Sequence, residues 1–137
     1  MKIRLGKNQP KPKYQTAGAA AFDLCATETV TLTGQVHMMN LEIACEIPEG
    51  HAGFLICRSS MAKRGIRMAN AIGLIDSDYR GFIHAPLTSV SAGGTKVEKG
   101  ERLVQLIIQK VEQLDLIVVD ELEDTDRGSG GFGSTGK

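Results

Sequence analysis

The chain has 137 residues, 42% of them apolar, which suits one domain with one core. Sixteen Lys and Arg balance sixteen Asp and Glu, so there is no electrostatic footprint for a nucleic-acid backbone or an anionic membrane, and any phosphate chemistry must be local. Three cysteines, Cys25, Cys45 and Cys57, lie among apolar neighbours without CxxC or metal-ligand spacing, which predicts reduced thiols in a cytoplasmic compartment. No apolar run follows the basic N-terminal residues and none approaches membrane-spanning length, so a soluble, unprocessed protein with a small partner is expected.

Residues 2–5 alternate polar and apolar as an opening strand would, and Pro10 and Pro12 then enforce an extended segment. The stretch AGAAAFDLCA sets Asp23 beside small residues that leave room for something to approach the backbone; core packing or an alanine-rich helix start would give the same pattern. Residues 29–32 alternate again. Leu41, Ile43, Cys45 and Ile47 recur at period two and predict one strand over 39–47, ended by a turn at Pro48, Glu49 and Gly50. Residues 52–57 then read as the second strand of the same hairpin. From Arg58 to Gly65 the pattern is one short helix with a serine N-cap and a glycine stop. Free N–H groups at that helix start, with Arg58 and Ser59 beside them, suit a phosphate, although a plain cap with a surface arginine reads the same way.

Residues 71–83 predict a strand, a turn and a return strand. Ile72, Leu74 and Ile75 deliver Asp76 at the end of the first, and Asp78, Tyr79, Arg80 and Gly81 turn the chain back toward Phe82 and Ile83. A carboxylate beside an apolar run entering the core is partly shielded from water, which makes Asp76 a candidate general base. Turn formation alone would also account for Asp76, Asp78 and Gly81. Pro86 interrupts the strand over 82–90 and places it at an edge or bulge. Residues 102–111 are apolar on both faces, as in a buried central strand, and Gln105 within them must face a rim or a polar ligand. A last strand is expected over 114–122. The glycine-rich remainder, 123–137, has one large apolar residue, Phe132, and reads as a flexible arm. About eight short strands with at most one short helix predict an all-β sandwich or barrel.

The tail matches GxGxxG through Gly128, Gly130 and Gly133, and begins a phosphate-loop pattern that stops at Lys137. Both patterns need a helix after their glycines, and neither has one. What remains is a run of glycine N–H groups that, with Arg127, Ser134 and Thr135, can wrap an anion, and a Phe132 free to stack on a planar group.

Five stretches in order, AAAFDL, CRSSMA, NAIGLIDSDYRG, GERLVQLI and RGSGGFGSTG, together resemble the five motifs of the homotrimeric dUTP pyrophosphatase (dUTPase) family. One departure is Ala21, where the family usually has glycine. The resemblance implies a jelly-roll-like β domain over 1–122 and an arm over 123–137 that closes over a site shared within a homotrimer. It implies Mg²⁺ and hydrolysis of dUTP to dUMP and pyrophosphate, which keeps uracil out of DNA and supplies dUMP. Carried over by position, Asp76 activates the attacking water, and Asp23 binds waters of the Mg²⁺ shell. Arg58, Ser59 and Ser60 hold phosphates, and Gln105 meets the α-phosphate or a metal-bound water. The backbone of Gly73 and Leu74 with the Asn70 amide reads uracil, and Tyr79 packs under the sugar. Arg127, Ser134 and Thr135 hold the γ-phosphate, Phe132 stacks on uracil, and Gly133 contacts the substrate. The related dCTP deaminases, and a nucleotide-dependent switch acting on a protein partner, are the alternatives.

Overall fold

Strands with one face to bury need a second layer, and here two sheets and two strand pairs share one core. A computed structural model describes residues 1–131. The strands are β1 (Lys2–Leu5), β2 (Phe22–Cys25), β3 (Val30–Leu32), β4 (His37–Asn40), β5 (Ile43–Glu46) and β6 (His51–Cys57). After the helix α1 (Ser59–Lys63) come β7 (Ile66–Met68), β8 (Gly73–Ile75), β9 (His84–Ser89), β10 (Thr95–Val97) and β11 (Arg102–Lys110). One sheet runs β2-β11-β6-β8 and another β4-β9-β7, with β1-β5 and β10-β3 as pairs, all antiparallel. Leu24, Leu32, Met39, Leu41, Ile43, Leu55, Leu87 and Leu106, drawn from both sheets and both kinds of pair, are fully buried in one cluster. This is the expected all-β, jelly-roll-like sandwich, with a single short helix among the described residues.

Local patterning located several of the strands but mispaired them, and it passed over β7 and β10. Residues 39–47 are two strands, because the chain turns at Glu42 with φ 50°. The Glu42 carboxylate holds that turn by accepting the Asn8 backbone N–H at 2.7 Å and the Asn8 side-chain amide at 2.8 Å. Gly6 passes so close that a Cβ there would collide with the Glu42 side chain. β4 therefore joins β9, while β5 pairs with β1. The turn at Pro48–Gly50 is a corner between sheets, since β6 pairs with β11 and β8.

The expected return strand after Asp76 also changes sheet: β8 lies on β6, whereas β9 lies between β4 and β7. Pro86 thus sits in a middle strand instead of an edge. Its carbonyl accepts the Ala69 N–H at 2.7 Å, and β7 ends at Met68, so the ring nitrogen faces a side where the ladder has stopped. Residues 114–122 form no strand; Leu116 and Val118 are 94% and 97% exposed. The N-cap of α1 is Arg58, without a side-chain cap bond, and not a serine. Gln9, which the sequence reading passed over, is buried and grips the Cys25 backbone at both N–H and C=O while donating to Leu41 O at 2.7 Å. Among the described residues no helix is long and apolar enough to cross a membrane.

Candidate active site

Asp23 lies between buried Phe22 and Leu24, so period two turns its carboxylate to the other face of β2. On the adjacent strand β11 the register slips between Arg102 and Val104. The bulge lets Leu103 and Val104 both go into the core and re-aims Arg102 toward Asp23. Arg102 Nη1 donates to Asp23 Oδ2 at 3.0 Å, and Arg58 Nε forms an ion pair with Asp23 Oδ1 at 3.0 Å. The Arg58 N–H donates to Leu103 O at 3.0 Å, tying the end of β6 to the bulge. Gln105, half-buried, is directly opposite Asp23, and directly opposed residues share a face. Ser59 and Ser60 follow Arg58 on the exposed first turn of α1. The structure thus brings Asp23, Arg58, Gln105 and the two serines to one corner, with two guanidiniums around one carboxylate. Arg102 was missed because a bulge leaves no trace in residue periodicity.

A second group forms elsewhere. Asn70, Gly73, Leu74, Asp76 and Tyr79 line a cavity of about 310 Å³, with Met38, Ile83, His84 and Pro86 on its other wall. β8 is an edge strand, so half of its backbone N–H and C=O groups face away from β6. The turn before it is tight: Ala71 has φ 59°, and Ile72 N–H donates to Asn70 O at 2.6 Å. The turn after it is locked by Tyr79, whose hydroxyl donates to Phe82 O at 3.0 Å, and by Arg80, which donates to Ser77 O at 2.6 Å. Asp76 at the cavity rim is exposed in the chain, contrary to the expected partial shielding. Met38, His84 and Pro86 were not foreseen, because they come from strands brought in by long-range pairing.

The two groups do not meet within one chain. Gln105 is level with Ile56 on β6, and Ile75, just before Asp76, is level with Gly53. That is roughly 10 Å along the strands and roughly 10 Å across two strand spacings. Arg127 is exposed and donates to Gly130 O at 3.1 Å within its own turn. Phe132, Gly133, Ser134 and Thr135 lie outside the described residues.

Chemically, one corner offers an anion site and the other a groove with a carboxylate at its rim. Burial pushes all three free thiols up, Cys45 to about 11, so none supplies a thiolate near neutrality. Among the described residues no three His, Cys, Asp or Glu side chains converge as a metal cage.

The dUTPase family model matches residues 7–136. A deoxyuridine 5'-triphosphate nucleotidohydrolase from Nautilia profundicola is 44% identical over 142 residues, with 100% of each chain covered. The dUTPase of Staphylococcus bacteriophage 80alpha with dUPNHPP superposes with TM-score 0.87 at 27% identity, covering 99% of this chain and 98% of that one. A dUTPase variant from phage phi11 of S. aureus, described with a coordinated structural Mg(II) ion, has the same fold at TM-score 0.81 and 23% identity, covering 90% and 98%. Family match, near-complete relative and shared fold agree: this chain belongs to the dUTPase family.

Proposed function

We propose that the protein hydrolyses dUTP to dUMP and pyrophosphate at sites completed between copies of the chain. One observation carries the shared-site reading: the anion corner around Arg58 and the groove around Asp76 are separated within a chain. In-line attack at the α-phosphorus requires the water held by Asp76 and the phosphate contact of Gln105 at the same atom. A neighbouring copy supplies one of the two. A homotrimer is the assembly proposed, with residues 123–137 as the arm reaching a neighbour's site.

The division of labour follows from the residues. The edge of β8 at Gly73 and Leu74, with the Asn70 amide, offers donors and acceptors matched to uracil, and cytosine would set its amino donor against a backbone donor. Tyr79, fixed by its bond to Phe82 O, packs under the sugar. Arg58, Ser59 and Ser60 hold phosphate oxygens, and Asp76 takes the proton of the attacking water. Arg127, Ser134 and Thr135 are assigned to the γ-phosphate, Phe132 to the base and Gly133 to a substrate contact. Mg²⁺ suits this chain, because that ion keeps several waters and binds chiefly through substrate phosphates, needing one or two carboxylates and no protein cage. Asp23 would hold it through water. When bound it neutralises charge on the leaving pyrophosphate. A cytoplasmic setting fits the three free thiols.

Pyrophosphate release from dUTP, dCTP, dTTP and UTP measured in parallel tests the reading. Release from dUTP alone is expected, with Asp76→Asn slower by about 10²–10⁴-fold; equal turnover of dCTP, or an unimpaired Asp76→Asn, contradicts it. A second reading, a dUTP-dependent switch on a protein partner, takes its support from the phage 80alpha dUTPase, described as acting by a G protein-like mechanism. Capture of a partner with dUPNHPP and not without it would favour that reading.

A further inference from the structure

Asp23 holds two guanidiniums with a side chain only 8% exposed, although one would neutralise it. The carboxylate divides its oxygens, Oδ1 to Arg58 Nε and Oδ2 to Arg102 Nη1, both at 3.0 Å. Arg58 is further fixed at Nη1, which donates to the Arg102 carbonyl at 3.4 Å. Its Nη2 takes no part in these contacts, and the three groups together keep one net positive charge. Arg102 reaches Asp23 only because of the β-bulge, which displaces it from the phase it would have in a regular strand.

We propose that Arg102 is a positioning residue for phosphate binding: by holding Asp23 Oδ2 it fixes the carboxylate that orients Arg58, whose remaining N–H groups then meet the anion. Arg102 makes no contact with substrate and acts through Asp23. A flexible, doubly charged corner without this clamp would attract phosphate without aligning it. With the clamp, the guanidinium plane of Arg58 is set before the anion arrives, and less conformational freedom is lost on binding. The inference rests on the assignment of Arg58 to the phosphates.

The test is a double-mutant cycle on Arg102→Gln and Asp23→Asn, read as the affinity for dUPNHPP by calorimetry beside kcat and KM for dUTP and the melting temperature. Arg102→Gln is expected to weaken dUPNHPP binding about 10- to 100-fold, the cost of removing one charged partner of a hydrogen-bonded group. In the Asp23→Asn background the same change should cost less than about twofold, because the two act as one unit. A merely structural role would lower the melting temperature without producing that non-additivity in affinity. Equal losses in both backgrounds, or unchanged binding in Arg102→Gln, would overturn the proposal. Should the glutamine variant not fold, Arg102→Lys keeps the charge and runs the same cycle, with a smaller expected loss of about threefold. Pyrophosphate as a second probe separates the two readings. Wild-type protein that binds pyrophosphate but not dUPNHPP would contradict the dUTP assignment, while the cycle read with pyrophosphate would still decide on Arg102.

Discussion

Gly81 shows how one residue can set a site by having no side chain. A Cβ there would drive into the Tyr79 hydroxyl, which rests over Gly81 and donates to Phe82 O at 3.0 Å. Gly81→Ala is therefore expected to displace Tyr79, raise KM for dUTP about tenfold and let UTP compete, since a packed aromatic ring excludes the extra hydroxyl. Steady-state kinetics with both nucleotides check this. Glu42 acts at the same scale on stability. The Asn8 backbone and side-chain amides, with Lys99 nearby, hold its carboxyl below the ordinary glutamate value of 4.5. A lowered folded-state pKa contributes stability that is present above the unfolded value and is lost as pH falls through the folded one. The melting-temperature gap between wild type and Glu42→Gln should accordingly be full at neutral pH and narrow below about pH 4.5. A gap constant across that range would show that the charge has no part in holding the turn.

Single strands could be read from the sequence, and their partners could not. Period two located β1, β3 and the stretch over 39–47 that holds β5, because one-sided burial leaves that mark in a strand whatever it pairs with, while β6 and β11 stood out as apolar runs. Pairing is decided by residues far away in sequence: Asn8 bends the chain at Glu42, and the end of β7 leaves room for Pro86 in a middle strand. The same split applies to the site. Asp23, Arg58 and Gln105 stood out by chemical type, while Arg102 depended on a bulge, and Met38 and His84 on which strands face β8. Gly53 tests the element directly. A Cβ on it would lie 3.0 Å from Ile47 Cδ1, 3.2 Å from Ile75 Cβ and 3.3 Å from Leu106 Cδ1. Gly53→Ala should cost about 1–3 kcal/mol by overpacking, measured by denaturant unfolding. It should also impair turnover, because the displaced Ile75 carries Asp76. Unchanged stability would mean that the contact is slack.

At the scale of the molecule, residues 114–122 have the apolar, β-branched run of a strand but no strand partner among the described residues. Leu114, Ile117 and Leu122 are 77%, 82% and 86% exposed, a run of apolar surface that a lone chain leaves in water. Its covering by another copy would unite the sequence pattern with the incomplete site. Ile117→Asp with Val118→Asp is expected to reduce the assembly seen by light scattering and to abolish most turnover while the β domain stays folded. An intact assembly would assign the segment elsewhere. The most direct test of a shared site is complementation. Arg58→Gln and Asp76→Asn chains, each inactive alone, are unfolded together in equal amounts and refolded, and dUTP hydrolysis is measured. If every site takes Arg58 from one copy and Asp76 from another, random mixing restores about a quarter of wild-type activity. If both residues serve one site within a chain, no mixed assembly contains an intact site, and activity stays at the level of the separate variants.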